Sequence, residues 1–203
     1  MTEVPLKSLH VIEDDAAVRA SIVAVLESWG FAVEAFTDGE SYLAATGERP
    51  VCILLDVRLP GIDGLAVLNE LRRSGRQVPV IMISAHGDVA LAVKAIQCGA
   101  QDFVEKPFDD ADLVNRIRAA IAHRAGEDYQ AANLDILTKR ELQVMREVVA
   151  GNANKVIAYN LGISPKTVEM HRARVMKKTG AKSLSQLVRI AMRSGTDPAE
   201  VSR

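Results

Sequence analysis

The stretch from residue 51 to residue 61, VCILLDVRLPG, limits what this chain can fold into more than any other. It opens with five apolar residues, including the β-branched Val51 and Ile53, which is typical of a strand buried on both faces of a parallel sheet. The run stops at Asp56, and Pro60-Gly61 then favours a turn. Ligands of open α/β sheets bind outside the carboxyl ends of the strands, so Asp56 lies where chemistry is expected. Taken alone, it would more simply be an acidic residue that merely ends a strand.

Strand and helix patterns alternate around this stretch. Strands are predicted at 8–12, 31–36, 80–83 and 102–105, besides the central one. The first helix carries an apolar stripe and is closed by Gly30, and helices are also predicted at 38–45, 64–73, 89–98 and 110–124. The stripe of the first helix consists of Val18, Ile22, Val25, Leu26 and Trp29. This (βα)₅ alternation predicts an α/β domain with a doubly wound parallel sheet.

Polar residues follow four of these strands. They are Glu13/Asp14, Asp56, Ser84 and Lys106. Three carboxylates at one edge repel one another unless a cation joins them, and all-oxygen ligation suits Mg²⁺. A lysine and a hydroxyl nearby are what a transferred phosphoryl group needs. Asp56 is therefore a candidate nucleophile that forms an aspartyl-phosphate.

Residues 7–124 closely resemble the receiver domain of two-component response regulators. The phrase LDVRLPG at 55–61 and the pair Lys106-Pro107 carry the resemblance. It implies that Asp56 accepts phosphate from a sensor histidine kinase, while Ser84 and Lys106 contact the phosphoryl oxygens. It implies Mg²⁺ ligation by Glu13, Asp14, Asp56 and the backbone carbonyl of Arg58. Phe103 matches the aromatic switch position that works with Ser84, although simple core packing explains it equally well.

The acidic pair departs from the family pattern, in which both residues are usually aspartates. Counting back five from Arg19 aligns the pair with Glu13 and Asp14. Asp15 suits the start of a helix, where a carboxylate favours the helix dipole, but its taking the place of Glu13 stays open. His86, two residues after Ser84, is expected to belong to a loop rather than to take part in catalysis.

The charge of the chain divides into two parts. Net charge is −1 over 203 residues, yet residues 1–132 hold 12 basic and 20 acidic residues, and residues 133–203 hold 13 and 6. The first part is therefore −8 and the second +7. An acidic domain joined to a basic one suggests that only the second meets a polyanion.

Compartment follows from composition. Cys52 and Cys98 are expected to be buried free thiols in a reducing cytosol. No apolar run is long enough to span a bilayer, and the first residues lack the pattern of a signal peptide. A cytoplasmic protein with no membrane partner is expected.

A second domain is predicted after a linker. The boundaries are a receiver domain at 1–124, a linker at 125–136 and a DNA-binding domain at 137–203. Thr138 and Glu141 form a capping box that starts a helix ended by Gly151, and a short helix at 155–161, capped by Asn154, follows. Ser164 and Pro165 then start a third helix that runs to Lys178, and a fourth is predicted at 183–192. Ala158, Gly162 and Val168 suit the packing of a small all-α helix-turn-helix domain.

The polar face of the third helix favours DNA binding over a plain helical bundle. It carries Lys166, Arg172, Arg174, Lys177 and Lys178 against a single acidic residue, Glu169. Residues 137–193 resemble the LuxR-type helix-turn-helix, and the phrase SPKTVEMHR at 164–172 is its recognition helix. Together with the receiver, the chain resembles FixJ-type (NarL/FixJ) response regulators. By position, Glu169, Met170 and Ala173 face base edges, and the phosphate contacts are Lys166, Thr167, His171, Arg172, Arg174 and Lys177.

The sequence thus predicts a phosphorylation-dependent transcription regulator, not an enzyme. Its expected partners are a histidine kinase, promoter DNA, a second copy that joins through residues 90–124 on phosphorylation, and, as a further candidate, RNA polymerase. An aspartate-nucleophile phosphatase needs a second acid where Arg58 stands, and a phosphate sink would not need residues 137–193. The remaining alternative is a constitutive DNA binder whose receiver does not gate activity.

Overall fold

A computed structural model describes residues 8–47, 49–85, 87–123 and 134–194, which form two compact units. The first unit holds the five strands, and the second holds the four helices at the end of the chain. The strands are β1 (Ser8–Ile12), β2 (Ala32–Phe36), β3 (Cys52–Asp56), β4 (Val80–Ser84) and β5 (Asp102–Glu105). The helices that alternate with them are α1 (Ala16–Ser28), α2 (Gly39–Ala44), α3 (Gly64–Arg73), α4 (Val89–Gln97) and α5 (Asp110–His123).

All five strands are parallel and lie in the order β2-β1-β3-β4-β5, which confirms the predicted doubly wound sheet. The chain reverses its winding between β1 and β3. Leu9 pairs with Cys52 and Ile12 with Leu55, so both strands end at the same edge. The residues that follow β1 and the last residue of β3 therefore lie close together, at the crevice where such sheets bind ligands.

The three central strands, β1, β3 and β4, are buried on both faces, as their apolar runs predict. Alternate residues such as Leu9, Leu54 and Ile83 form one core with residues of α1 and α5. The strand residues between them are also buried, and so is the inner side of α3. Trp29 departs from the predicted stripe, because it is the C-cap of α1 and is 43% exposed. It lies instead against the surface, with the guanidinium of Arg118 5.2 Å from its ring centre.

The second unit is all-α, as predicted. A 3₁₀ helix (Leu134–Ile136) precedes α6 (Lys139–Val149), α7 (Asn154–Leu161), α8 (Pro165–Thr179) and α9 (Leu184–Arg193). The capping box of Thr138 and Glu141 is formed, and the Ser164 hydroxyl caps α8. Gly162, at φ 63°, makes the left-handed turn between α7 and α8, while Ala158 and Val168 are buried where these helices pack.

Asn154 does not cap α7, contrary to the prediction. The cap position is Ala153, which offers no side-chain hydrogen bond, and Asn154 is the first helical residue. The Asn154 side-chain oxygen accepts a hydrogen bond of 2.6 Å from Arg172 instead. Asn154 belongs to a residue type that favours helix caps, but here its side chain bonds Arg172 of the next helix instead.

The predicted linker is described only in part. Of the predicted linker, only residues 134–136 are described, and they are helical. Residues 124–133 and His86 lie outside the described residues. Both cysteines are free, but only Cys52 is fully buried, whereas Cys98 is partly exposed. Within the described part of the chain, no helix has both the length and the apolar character needed to cross a bilayer.

Candidate functional site

Three carboxylates meet at the switch point of the sheet. Glu13 and Asp14 directly follow β1, and Asp56 ends β3. Each offers an oxygen atom within 4.8 Å of the others. Glu13 and Asp56 are buried, whereas Asp14 is exposed. This is the cluster that the strand-end argument predicts.

Lys106 joins two of these carboxylates. Its ammonium donates to Glu13 Oε2 at 2.6 Å and also to Asp56 Oδ2. Burial and the nearby Asp56 charge raise the pKa of Glu13 and Lys106 lowers it, with a net rise to about 7. Burial by itself would lower the pKa of Lys106, but its bonds to Asp56 and Glu13 raise it overall. The lysine therefore stays positive and offsets the repulsion between the acids.

The backbone around Asp56 fixes the position of its carboxylate. Oδ1 accepts a hydrogen bond of 2.8 Å from the Arg58 amide, so both oxygens have partners. The start of α3 lies directly against the end of β3. A Cβ on Gly64 would come within 2.0 Å of the Asp56 carbonyl oxygen, and the Gly64 amide donates to Val57 O at 2.9 Å. Only glycine permits this approach.

Ser84 and Phe103 lie on the two strands beyond Asp56. Ser84 is buried at the end of β4, and its carbonyl accepts a bond of 2.8 Å from the Lys106 amide. This backbone bond holds Lys106 at the edge of the sheet. Phe103 is half-buried in β5, a placement that suits either a packing role or a moving one.

The next acidic residue has a different role. The Asp15 carboxylate caps α1, accepting from the amides of Ala17 at 2.8 Å and Val18 at 3.0 Å. Those bonds lower the pKa of Asp15. Sequence reasoning missed the role of Arg19, whose guanidinium donates to the carbonyls of Glu13 at 2.7 Å and Asp14 at 3.0 Å. An arginine one helical turn after the acids was the signal available for it.

The donor set fits a magnesium ion. Glu13, Asp14 and Asp56 offer only oxygen atoms, which are the ligands that Mg²⁺ prefers. Three carboxylates against one lysine leave a net negative charge at the cluster, and this charge attracts a further cation. The sheet thus provides a cation site beside the carboxylate that Lys106 orients.

The second unit presents the recognition helix α8. Most of its predicted DNA contacts are on the exposed side, and the others are half-buried. Exposed are Lys166, Glu169, Met170, Ala173, Arg174 and Lys177, while Thr167, His171 and Arg172 are half-buried. An exposed basic face on the second helix of a helix-turn-helix is the surface that enters a DNA groove.

Two basic residues of α8 are tied to other helices. Arg172 donates to Asn154 of α7, and burial lowers its pKa. Lys178 donates to the buried Glu141 at 2.7 Å and to the Ile136 carbonyl at 3.1 Å. Lys178 therefore does not belong to the free basic face on which sequence analysis placed it. It links the end of α8 to the start of α6.

A carboxylate cluster with a lysine at the edge of a parallel sheet, followed in the same chain by a helix-turn-helix, is the organisation of a response regulator. Residues 9–118 match the family model of the response regulator receiver domain. Residues 135–191 match that of bacterial regulatory proteins of the luxR family. The chain belongs to the FixJ-type response regulators, a family of transcription regulators rather than classical enzymes.

Relatives share this organisation over almost the whole length. The chain is 47% identical to the transcriptional regulatory protein FixJ of Azorhizobium caulinodans, with 95% of each chain covered. It is 42% identical to FixJ of Rhizobium meliloti, covering 95% of this chain and 98% of that one. A crystal structure of full-length FixJ from B. japonicum is 41% identical, with a TM-score of 0.55 over 94% of this chain and 98% of that one. The response regulator StyR is 33% identical, with a TM-score of 0.52 over 92% and 98%.

Proposed function

We propose that this chain is a transcription regulator switched on by phosphorylation of Asp56. The observation that carries the proposal is the buried Asp56 carboxylate, held by Lys106 at the switch point of the sheet, in the same chain as an exposed basic recognition helix. The family relationship supports a sensor histidine kinase as phosphodonor and double-stranded promoter DNA as target.

In the transfer step, an oxygen of Asp56 attacks the phosphorus of a phosphohistidine. The P–O bond forms, the P–N bond breaks, and its electron pair leaves with the imidazole, which takes up a proton. Lys106 stabilises the charge on the phosphoryl oxygens, and the Ser84 hydroxyl donates to one of them. Glu13, Asp14, Asp56 and the Arg58 carbonyl would hold Mg²⁺, which would neutralise part of that charge.

The phosphoryl group on Asp56 then changes the conformation of the receiver surface. Lys106 leaves its bond to the Asp56 carboxylate for the phosphoryl group, and Ser84 moves toward the same group. Phe103 turns into the vacated space and biases a two-state surface. The surface so formed joins two receivers as a homodimer.

The dimer presents two α8 helices to half-sites about one DNA turn apart. Joining two weak sites raises the overall affinity without a new contact at either one. In each subunit, base contacts come from Glu169, Met170 and Ala173, and the basic residues of α8 hold phosphates. Such a regulator acts in the cytoplasm, where promoter DNA and RNA polymerase are present.

The proposal is tested on the full chain with acetyl phosphate and Mg²⁺. Intact mass should show one added phosphoryl group in the wild type and none in Asp56→Asn. Asp110→Asn is the matched control, because Asp110 is an exposed carboxylate at the start of α5. It should be phosphorylated like the wild type. Stoichiometric phosphorylation of Asp56→Asn would contradict the assignment.

Gating is tested with a duplex selected from a random pool by the phosphorylated chain. Sedimentation should show a change from monomer to dimer, and fluorescence anisotropy a rise in DNA affinity, both absent in Asp56→Asn. Equal DNA affinity with and without phosphate would favour the constitutive binder instead.

A further inference from the structure

A cavity of about 390 Å³ opens in the first unit, away from the phosphoacceptor site. It lies beside β1, β2 and α2, and residues 45–47, 49–50 and 74–78 line it as well. Its volume lies in the range of small-molecule pockets. Asp56, Ser84 and Lys106 are not among its lining residues.

One wall of the cavity is formed by His10, a lining residue that is only 4% exposed. Its ring packs against Phe36 and Tyr42, with ring centres 5.5 and 5.7 Å away. Neither ring nitrogen has a hydrogen-bond partner, although Nε2 lies 3.2 Å from Glu34 Oε2. Burial lowers the pKa of His10, which the Glu34 charge opposes. Both ring nitrogens are buried, so His10 forms part of the wall, and its contact with Glu34 places that carboxylate beside the cavity.

Charges of both signs line the same cavity. Arg49 and Arg76 supply two guanidinium groups, and Glu34 supplies one carboxylate. Burial raises the pKa of Tyr42 to about 12, with Arg76 lowering it and Glu34 raising it. Arg76 and Glu34 therefore both influence the pKa of Tyr42, and all three residues line the same cavity.

The wall that carries Arg76 is held in place. Arg72 donates to the Arg76 carbonyl at 2.7 Å, and the Arg76 amide donates to Leu71 O at 2.9 Å. Gly75, at φ 75°, makes the turn that these bonds close. The loop is thus braced from α3, which favours a preformed pocket.

We propose that this cavity binds a small organic zwitterion, an α-amino acid or a close analogue with one carboxylate and one ammonium group. Arg49 and Arg76 bind the carboxylate, and Glu34 binds the ammonium group. Gln77, which also lines the cavity, provides hydrogen bonds to a polar side chain. A plain anion would be repelled by Glu34 and a plain cation by the two arginines, whereas a molecule with both charges satisfies all three.

The test uses the full-length protein and the twenty standard L-amino acids, each at millimolar concentration. Thermal shift identifies candidates, and saturation-transfer NMR confirms binding and measures Kd. We expect at least one amino acid to bind. Its affinity should fall roughly ten- to hundredfold in Arg76→Gln and in Glu34→Gln, as loss of a charged hydrogen bond predicts.

The control is Arg73→Gln, the same change three residues away. Arg73 is an exposed residue of α3 that contacts Glu70 and does not line the cavity. It should bind like the wild type. A second comparison uses the analogue of the bound amino acid that lacks only the amine; its affinity should fall in the wild type but not fall further in Glu34→Gln.

Three outcomes would overturn the proposal. They are the absence of binding by all twenty amino acids, binding that survives both Arg76→Gln and Glu34→Gln, and equal binding of the deaminated analogue to the wild type. Phosphorylation of Asp56 is measured separately, so failure here leaves the proposed regulatory function untouched.

Discussion

Three consecutive acidic residues after β1 have three different environments. Glu13 is buried and paired with Lys106, Asp14 is exposed at the edge of the carboxylate cluster, and Asp15 caps α1. Their positions in the chain separate these roles, because Glu13 directly follows β1 and Asp15 directly precedes α1. Only two of the three can therefore serve a cation beside Asp56.

We expect Asp14→Ala to weaken Mg²⁺ binding much more than Asp15→Ala, because Asp14 belongs to the cluster and Asp15 does not. Asp15→Ala should instead lower the denaturation midpoint, since two amides of α1 lose their cap. Calorimetric titration with Mg²⁺ and urea denaturation of both variants separate the two roles. Equal losses of Mg²⁺ affinity would mean that the acidic pair is misassigned.

At the scale of elements, close contacts between helices and strands hold both sites. The start of α3 lies against the end of β3 only because Gly64 lacks a side chain. In the second unit, Glu141 at the start of α6 accepts bonds from Lys178 of α8 and from the Thr138 amide. The first contact positions Asp56 within the first unit, and the second positions the recognition helix within the second unit.

Gly64→Ala should destabilise the chain by about 1–3 kcal/mol, because the new Cβ meets backbone that cannot move aside cheaply. Gly47→Ala is the control, since it makes the same change in the unfolded chain and its Cβ would have no neighbour nearer than 3.8 Å. It should change stability by less than roughly 0.5 kcal/mol. Urea denaturation of both variants measures the difference, and equal midpoints would contradict the close approach.

Glu141 should make stability depend on acid pH. Its bonds to Lys178 and Thr138 lower its pKa from 4.5 to about 2. A lowered pKa adds stability that is complete above about pH 4.5 and lost as pH falls toward 2. Denaturation midpoints measured across this window should fall less steeply in Glu141→Gln than in the wild type.

Glu169→Gln is the matched control for this titration, an equal loss of charge on the exposed face of α8. Its midpoints should follow those of the wild type across the same pH window. If Glu141→Gln also follows the wild type, the ion pair with Lys178 contributes nothing to folding.

At the scale of the whole molecule, the charge is divided between an acidic first part and a basic second part. The largest part of the excess positive charge, +4 of +7, is on α8, where DNA phosphates are expected to bind. Because counterions are released when phosphates are neutralised, affinity should depend steeply on salt. A regulator of this kind therefore needs its base contacts to choose the promoter and its basic residues to hold it.

Arg172→Ala should weaken binding to all sequences alike and reduce the slope of log affinity against log salt by about one. Glu169→Ala should change base preference instead, because a carboxylate at a base edge accepts from cytosine. Both are measured on a series of single-base substitutions at two salt concentrations. A changed preference in Arg172→Ala with none in Glu169→Ala would mean that α8 docks differently.

Asn154→Ala extends this comparison. It leaves the charge unchanged but removes the side chain that accepts from Arg172. We expect weaker binding to all sequences, with less change in the salt slope than in Arg172→Ala. Unchanged affinity would show that Arg172 needs no positioning by α7.

The sequence by itself determined the five strands, their alternation with helices, and the edge at which Asp56 lies. It also determined the capping box at Thr138 and the start of α8 at Ser164. These features are encoded within short segments, by apolar period, caps and turn residues, so no distant contact is needed to predict them.

Only the tertiary structure decided which groups meet across the chain. Lys106 bonds Glu13, which is 93 positions away in the chain. Arg172 bonds Asn154, which was expected to cap a helix, and Lys178 pairs with Glu141. The cavity around His10 likewise needs β1, β2, α2 and two loops together. Such contacts depend on strand register and helix packing, which join residues whose local patterns carry no record of one another.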